Sequence, residues 1–158
     1  MLSAPASGQK PSRGRLVGRE ERQVMQPIEH LVPMVVTDKV AEAKAFYTSH
    51  FDFEVSFDAG WYVALRSKSR DHGPFEIAFR APREGETCFS TGLTFGIQVA
   101  DADAELAALM TAGVPIEKQI ADNPWGDRSF LVRDPAGVGL YVFHPIEMSP
   151  EYEQFAKS

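Results

Sequence analysis

The apolar segments of this chain come in the same order twice, and that doubling constrains the fold more than any single motif does. Ile28 to Val36 is an apolar, β-branched run that reads as a strand. Asp38 can cap a following helix, in which Val40, Ala43, Phe46 and Tyr47 recur at helical spacing up to about His50. Phe53 to Phe57 is a short strand, Asp58-Ala59-Gly60 a turn and Trp61 to Arg66 the next strand. Past the polar loop Ser67 to Gly73, Phe75 to Phe79 alternates as a half-buried strand. After a linker with Pro, Gly and Glu, Ala81 to Thr91, the series begins again. Leu93, Phe95, Ile97 and Val99 alternate with polar or small residues as a strand. Asp101 caps a helix with Leu106, Leu109 and Met110 inward, and Gly113 suits its left-handed end. Val114 to Lys118 is a short strand and Ile120 to Asp127 a loop. Two apolar runs, Phe130 to Val132 and Leu140 to Phe143, then flank Asp134-Pro135-Ala136-Gly137, a tight-turn sequence. Placing Lys39 on Asp101, Arg66 on Arg133 and Glu76 on Tyr141 superposes the halves, which must therefore solve one packing problem twice. The fold class that follows is α+β. Two tandem βαβββ units, residues 28–80 and 92–147, form a curved mixed-sheet cleft with helices on the outside.

A helix packed on one face of each sheet takes the apolar parity of the strands and leaves the other parity to the cleft. Phe75, Ile77 and Phe79, with Leu93, Phe95, Ile97 and Val99, are then helix-side. The cleft sees Tyr62, Ala64, Arg66, Glu76 and Ala78 from the first unit. From the second it sees Thr94, Gly96, Gln98, Ser129, Leu131, Arg133, Gly139, Tyr141 and Phe143. Ile28 to Val36 is apolar on both parities, so Val32, Met34 and Val36 are placed by analogy with Thr94, Gly96 and Gln98.

With 158 residues, 44% of them hydrophobic, the chain can bury one sizeable core or two small, intimately packed halves. Residues 1–26 carry Ser, Gly, Pro and Arg with almost no apolar periodicity and are expected to be a mobile tail, with Met25 standing where the pattern starts; residues 148–158 are expected to be a second tail. That leader is net basic, so the remainder is more acidic than the overall charge of −6. Such a domain repels phosphate backbones, which argues against a nucleic-acid partner and suits a cationic small molecule. No apolar run approaches the ~20 residues of a membrane helix, so no membrane partner is expected. A single cysteine, Cys88, excludes an internal disulfide and fits a reducing cytoplasm.

The closing segment, Pro124-Trp125-Gly126 followed by Arg128, Phe130 and Arg133-Asp134-Pro135-Ala136-Gly137, resembles the final hairpin of the vicinal oxygen chelate superfamily of glyoxalase, bleomycin-resistance and extradiol dioxygenase proteins. Phe46-Tyr47 in the first helix and Gly113-Val114 after the second match it too, and the resemblance spans about residues 28 to 147. It implies a homodimer with ligand clefts between subunits. Among the branches, the chain looks closest to the metal-free, bleomycin-resistance-like one.

Members that hold a divalent ion do so with His, Gln or Glu on the first and last strand of each repeat. The matching residues here are Val32 (or Leu31, one residue away), Glu76, Thr94 and Tyr141. One carboxylate remains of the four, and a divalent ion on one carboxylate keeps most of its water. No metal and no other cofactor is therefore expected. His30 shares strand parity with Val32 and could join Glu76 in a non-standard site, whereas His144 has the opposite parity to Tyr141; His50 and His72 read as helix-end and loop residues. As a structural residue Glu76 would pair with Arg66 or Arg133; as a functional one it would face a cationic ligand or act as a base.

The residues expected to bind ligand are Tyr62, Arg66, Glu76, Thr94, Gln98, Trp125, Arg128, Tyr141 and Phe143. Their rings favour a planar guest. The leading reading is a metal-independent protein that binds a hydrophobic or cationic small molecule, such as an aromatic toxin or antibiotic. The alternative is a metal-dependent lyase, isomerase or dioxygenase of this fold using Glu76 and a non-standard ligand set. A third is a metal-free scaffold whose aromatic cleft is an oligomer interface. No catalytic residue is assigned.

Overall fold

The computed structural model describes residues 28–69, 71 and 73–156. Each unit builds its own four-stranded mixed sheet. The first contains β1 (Met34–Val36), α1 (Val40–His50), β2 (Phe53–Asp58), β3 (Tyr62–Ser67) and β4 (Glu76–Arg80), in the sheet order β1-β4-β3-β2. The second contains β5 (Thr94–Gln98), α2 (Ala102–Thr111), β6 (Ile116–Asn123), β7 (Asp127–Arg133) and β8 (Gly139–Pro145), in the order β5-β8-β7-β6. In both, the first and last strands pair in parallel and the other pairs are antiparallel. The expected α+β fold of two βαβββ units is thus the observed one. Among the described residues no helix is long and apolar enough to cross a membrane.

The departures have local causes. The strand expected from Ile28 shrinks to Met34–Val36, since Pro33 has no N–H for the ladder, and Ile28 and Leu31 stand exposed. The cap expected at Asp38 falls instead at Lys39, which offers no side-chain acceptor; Thr37 Oγ1 takes the Lys39 N–H at 3.1 Å. Asp101 caps α2 as expected, accepting from the N–H groups of Asp103 and Ala104, and Gly113 holds a φ of 76° behind it. Phe75, expected on the helix side, lies outside β4 and is exposed, and Met110, expected inward from α2, is exposed as well, since it falls beside the stripe that Leu106 and Leu109 bury. Most of the loop expected at Ile120 to Asp127 is strand: β6 reaches Asn123, its pairing with β7 broken by irregularities near Lys118 that hide any simple alternation. The segment read as a C-terminal tail carries the short helix α3 (Pro150–Glu153), whose Tyr152 ring meets Trp125 at 6.2 Å. The leader and His72 lie outside the described residues.

The helix-side parity of both sheets forms one apolar cluster. Val35, Val63, Leu65, Ile77 and Phe79 join Phe130, Val132, Leu140 and Val142, with Ala43, Tyr47, Leu106 and Leu109 from the helices. Across it the buried Tyr47 hydroxyl donates to Asp134 Oδ2 at 2.9 Å, tying the helix of the first unit to the closing turn of the second.

Candidate ligand-binding site

Strand pairing decides which side chains share the faces turned away from the helices. Across the first sheet, Met34, Ala78, Ala64 and Phe57 form one apolar rung. Phe57 reaches this face because the β2–β3 register shifts after Val55. Tyr62 follows, its ring 5.8 Å from those of Phe57 and Trp61. On the neighbouring rung Arg66 stands opposite Glu76, yet Arg66 bonds to Glu54, at 2.7 Å through Nη2 and 3.1 Å through Nε. Glu76 has neither Arg66 nor Arg133 as partner. His30 Nε2 lies 3.8 Å from it, and Arg133 is held by Glu117 at 2.6 and 2.7 Å.

On the second sheet, Tyr141 lies between Gly96 and Leu131, and Phe143 between Gln98 and Ser129. The two rings stand 5.8 Å apart at 41°. Thr94 and Gln98 are exposed at the β5 edge. The Tyr141 hydroxyl donates to Asp127 Oδ1 at 2.7 Å, Trp125 Nε1 donates to Asp127 Oδ2 at 2.8 Å, and Asn123 Nδ2 donates to Asp127 Oδ1 at 2.8 Å and Ser129 Oγ at 2.7 Å. Trp125 reaches the carboxylate from the turn after β6, where Gly126 adopts a φ of 99°. Burial pushes the Tyr141 phenol above its ordinary pKa, with the bond to Asp127 adding to the rise against the pull of Ser129 and Trp125. Sequence reasoning missed Asp127 and Asn123. They are register partners at the end of the β6–β7 hairpin, a relation invisible while residues 120–127 read as loop.

The nine residues expected to bind therefore fall into two groups and one exception. Tyr62, Arg66 and Glu76 share the first sheet; Thr94, Gln98, Trp125, Tyr141 and Phe143 belong to the second. Arg128 is the exception, standing on the helix-side parity behind Tyr141 and held by Asp103 at 2.8 Å and Asp122 at 2.7 Å. Among the described residues no hydrogen bond, ion pair or ring contact joins the two groups, and the sheets share no ladder. Two open hollows, of about 370 and 480 Å³, lie elsewhere. One runs between β1 and Thr87 to Leu93, the other between Asp122 to Pro124 and Ile146 to Pro150; neither includes any of the nine.

The ladders also correct the alignment of the halves. With Lys39 on Asp101 and Arg66 on Arg133, the rung Met34–Ala78–Ala64 matches Gly96–Tyr141–Leu131. The counterpart of Tyr141 is then Ala78, and that of Glu76 is Gly139, two residues from the position first expected. Parity is unaffected.

The donors at the superfamily's metal positions do not fit a resident divalent ion. Val32 and Leu31 precede β1 and offer no ligand atom, Glu76 stands two residues from the counterpart of Tyr141, which is Ala78, Thr94 offers only a neutral hydroxyl, and the Tyr141 hydroxyl is committed to Asp127. Among the described residues one other group, Asp101, Asp103 and His144, brings three donor atoms together. It sits at the N-terminus of α2, where Asp101 accepts from two helix N–H groups, Asp103 is paired with Arg128, and His144 Nδ1 accepts the Ala102 N–H at 2.9 Å. Those bonds give the cluster a structural role as a helix cap, and they place His144 on the helix side as its parity implies.

The doubled βαβββ architecture defines a fold class, and comparison with known proteins agrees. The sequence profile of the glyoxalase/bleomycin resistance protein/dioxygenase superfamily matches residues 28–142. The chain belongs to that superfamily. Solved structures share the fold. A glyoxalase/bleomycin resistance protein/dioxygenase from Nocardioides superposes with a TM-score of 0.65 at 17% identity, covering 82% of this chain and 91% of that one. The bleomycin resistance determinant encoded on transposon Tn5 gives 0.58 at 15% identity over 75% and 98%. TnmS3, an antibiotic binding protein from Streptomyces sp. CB03234, gives 0.56 at 22% identity over 77% and 99%. No curated protein sequence matches the chain.

Proposed function

We propose that this protein binds a hydrophobic or cationic aromatic small molecule, without a resident metal, in a cleft that two copies of the chain complete. One observation carries the reading: where metal-holding relatives place a carboxylate, Tyr141 stands with its hydroxyl on Asp127 beside Trp125 and Phe143. Ring faces and one fixed carboxylate recognise a planar guest by stacking and shape. The fold shared with a bleomycin resistance determinant and an antibiotic binding protein supports it. The second copy is inferred from the first sheet, whose Met34 and Phe57 stand about half exposed on the face turned away from the helices. A homodimer that laid this face against the second sheet of its partner would assemble all eight cleft residues. Calorimetric titration of chelator-treated protein with a panel of planar aromatic antibiotics tests the proposal. Saturable binding that Trp125→Ala weakens at least tenfold is expected; heatless titrations across the whole panel would contradict it.

A further inference from the structure

The charges around the two faces do not balance, and the imbalance names a ligand class. Each arginine on a strand is already cancelled: Arg66 by Glu54, Arg80 by Glu86, Arg133 by Glu117, and Arg128 by Asp103 and Asp122. Asp127 is different. Its three side-chain donors, the Trp125 indole, the Asn123 amide and the Tyr141 phenol, are all neutral, so they orient its negative charge without cancelling it. Oδ1 accepts two of these bonds and Oδ2 one, which leaves an acceptor position on Oδ2, a carboxylate oxygen having room for about two. That oxygen is the one bonded to Trp125, a residue itself 43% exposed. Among the described residues of this face the cation without an ion pair is Lys118, opposite Leu131, which stands four residues along β7 from Asp127. An anion brought to the Asp127 end therefore finds no free guanidinium, and an ammonium only farther along the sheet. A cation would find a carboxylate with an acceptor position to offer and three aromatic rings whose negative faces attract it.

We propose that the site on the second sheet is selective for a planar aromatic cation, with Asp127 as the counter-charge and Trp125, Tyr141 and Phe143 as the stacking surface. The inference rests on the small-molecule reading above and adds the sign of the guest's charge. It also gives Asp127 a second task, since the same carboxylate holds the Trp125 and Tyr141 rings in place.

The test uses the full chain and three planar probes of similar shape at pH 7.5: proflavine, which is cationic, acridine, which is neutral, and acridine carboxylate, which is anionic. Proflavine should bind more tightly than acridine by on the order of fivefold, as a part-exposed charge pair allows, with the anion weakest. Asp127→Asn loosens the Trp125 and Tyr141 rings as well as removing the charge, so it should weaken proflavine more than acridine and bring their ratio to about one. Glu105→Gln, on the exposed side of α2, should leave the ratio intact. In the unsubstituted chain, proflavine should also shift the Trp125 indole N–H resonance, because the cation draws on the oxygen that N–H is bonded to. This readout needs no Asp127 variant to fold. Equal binding of the three probes, a preference that survives Asp127→Asn, or an unmoved indole resonance would each overturn the charge assignment and leave the binding function standing. Binding by none of the three overturns both.

Discussion

Tyr47 and Asp134 show how much a single pair can carry. The motifs that contain them, Phe46-Tyr47 and Asp-Pro-x-Gly, are 87 residues apart, and both side chains are almost fully buried in contact with each other. Asp134 Oδ1 also takes the Val138 N–H at 2.8 Å, so the carboxylate closes its own turn while receiving the helix. Tyr47→Phe leaves a buried acceptor short of a donor and should cost about 1–3 kcal/mol in urea unfolding. Burial, with the Asp134 charge beside it, raises the Tyr47 phenol far above its ordinary value. A raised pKa gives a contribution that is complete below the unfolded value, about 10, and lost as pH climbs above it. Native protein should therefore lose stability above about pH 10, and Tyr47→Phe should flatten that limb in a pH series of melts. Asp134 is raised too, chiefly by burial. Its contribution is complete below the unfolded value near 4 and fades as pH rises through the folded value, a fall that Asp134→Asn should abolish.

At the scale of elements, turns and caps set the geometry. Gly137 has a φ of 97°, and a Cβ there would meet Ser90 O at 2.7 Å. Gly137→Ala is both strained and crowded, and should lower the melting temperature and loosen the linker against the closing turn, measurable as faster amide exchange at Phe89, whose N–H bonds to Val36 O. Asp101→Ala removes a side-chain cap from α2 and should cost about 1 kcal/mol; Lys39→Ala, at the uncapped start of α1, should cost far less. Elements with clean periodicity were legible in the sequence. Alternation in β5, the spacing of α1 and the Asp-Pro-x-Gly turn place residues where the structure has them, while in α2 Leu106 and Leu109 are buried as expected and Met110 is not. What was hidden lies where local order is broken by pairing: Pro33 cutting β1 short, the shift after Val55 that turns Phe57 onto the outer face, and the irregular β6 that concealed Asn123 and Asp127. Sequence patterns give parity, but a register shift reverses parity without a mark in the composition. Arg128 was expected to bind ligand as part of the closing segment, although the parity that gives Ser129, Leu131 and Arg133 to the cleft puts it on the helix side, where the unshifted β7–β8 pairing has it.

For the whole molecule, the repetition extends beyond strand order to ion pairs. Arg66 with Glu54 and Arg133 with Glu117 occupy matching places in the two sheets, each linking two antiparallel neighbours. The repeat diverges where the chemistry is. The rung that carries Ala78 and Ala64 in one unit carries Tyr141 and Leu131 in the other, so one sheet offers a shallow apolar floor and the other a ringed polar site. If two copies join these unlike faces, sedimentation should show a dimer that Phe57→Asp, a charge on the exposed floor, converts to monomer while the fold persists. The central claim is that recognition here depends on rings and not on a bound ion. Its most direct test is one titration with proflavine on protein purified without chelator, its metal content determined by mass spectrometry, repeated after exhaustive chelation. The account predicts metal well below one ion per chain and an affinity unchanged by chelation. A stoichiometric transition metal whose removal abolishes binding would contradict it.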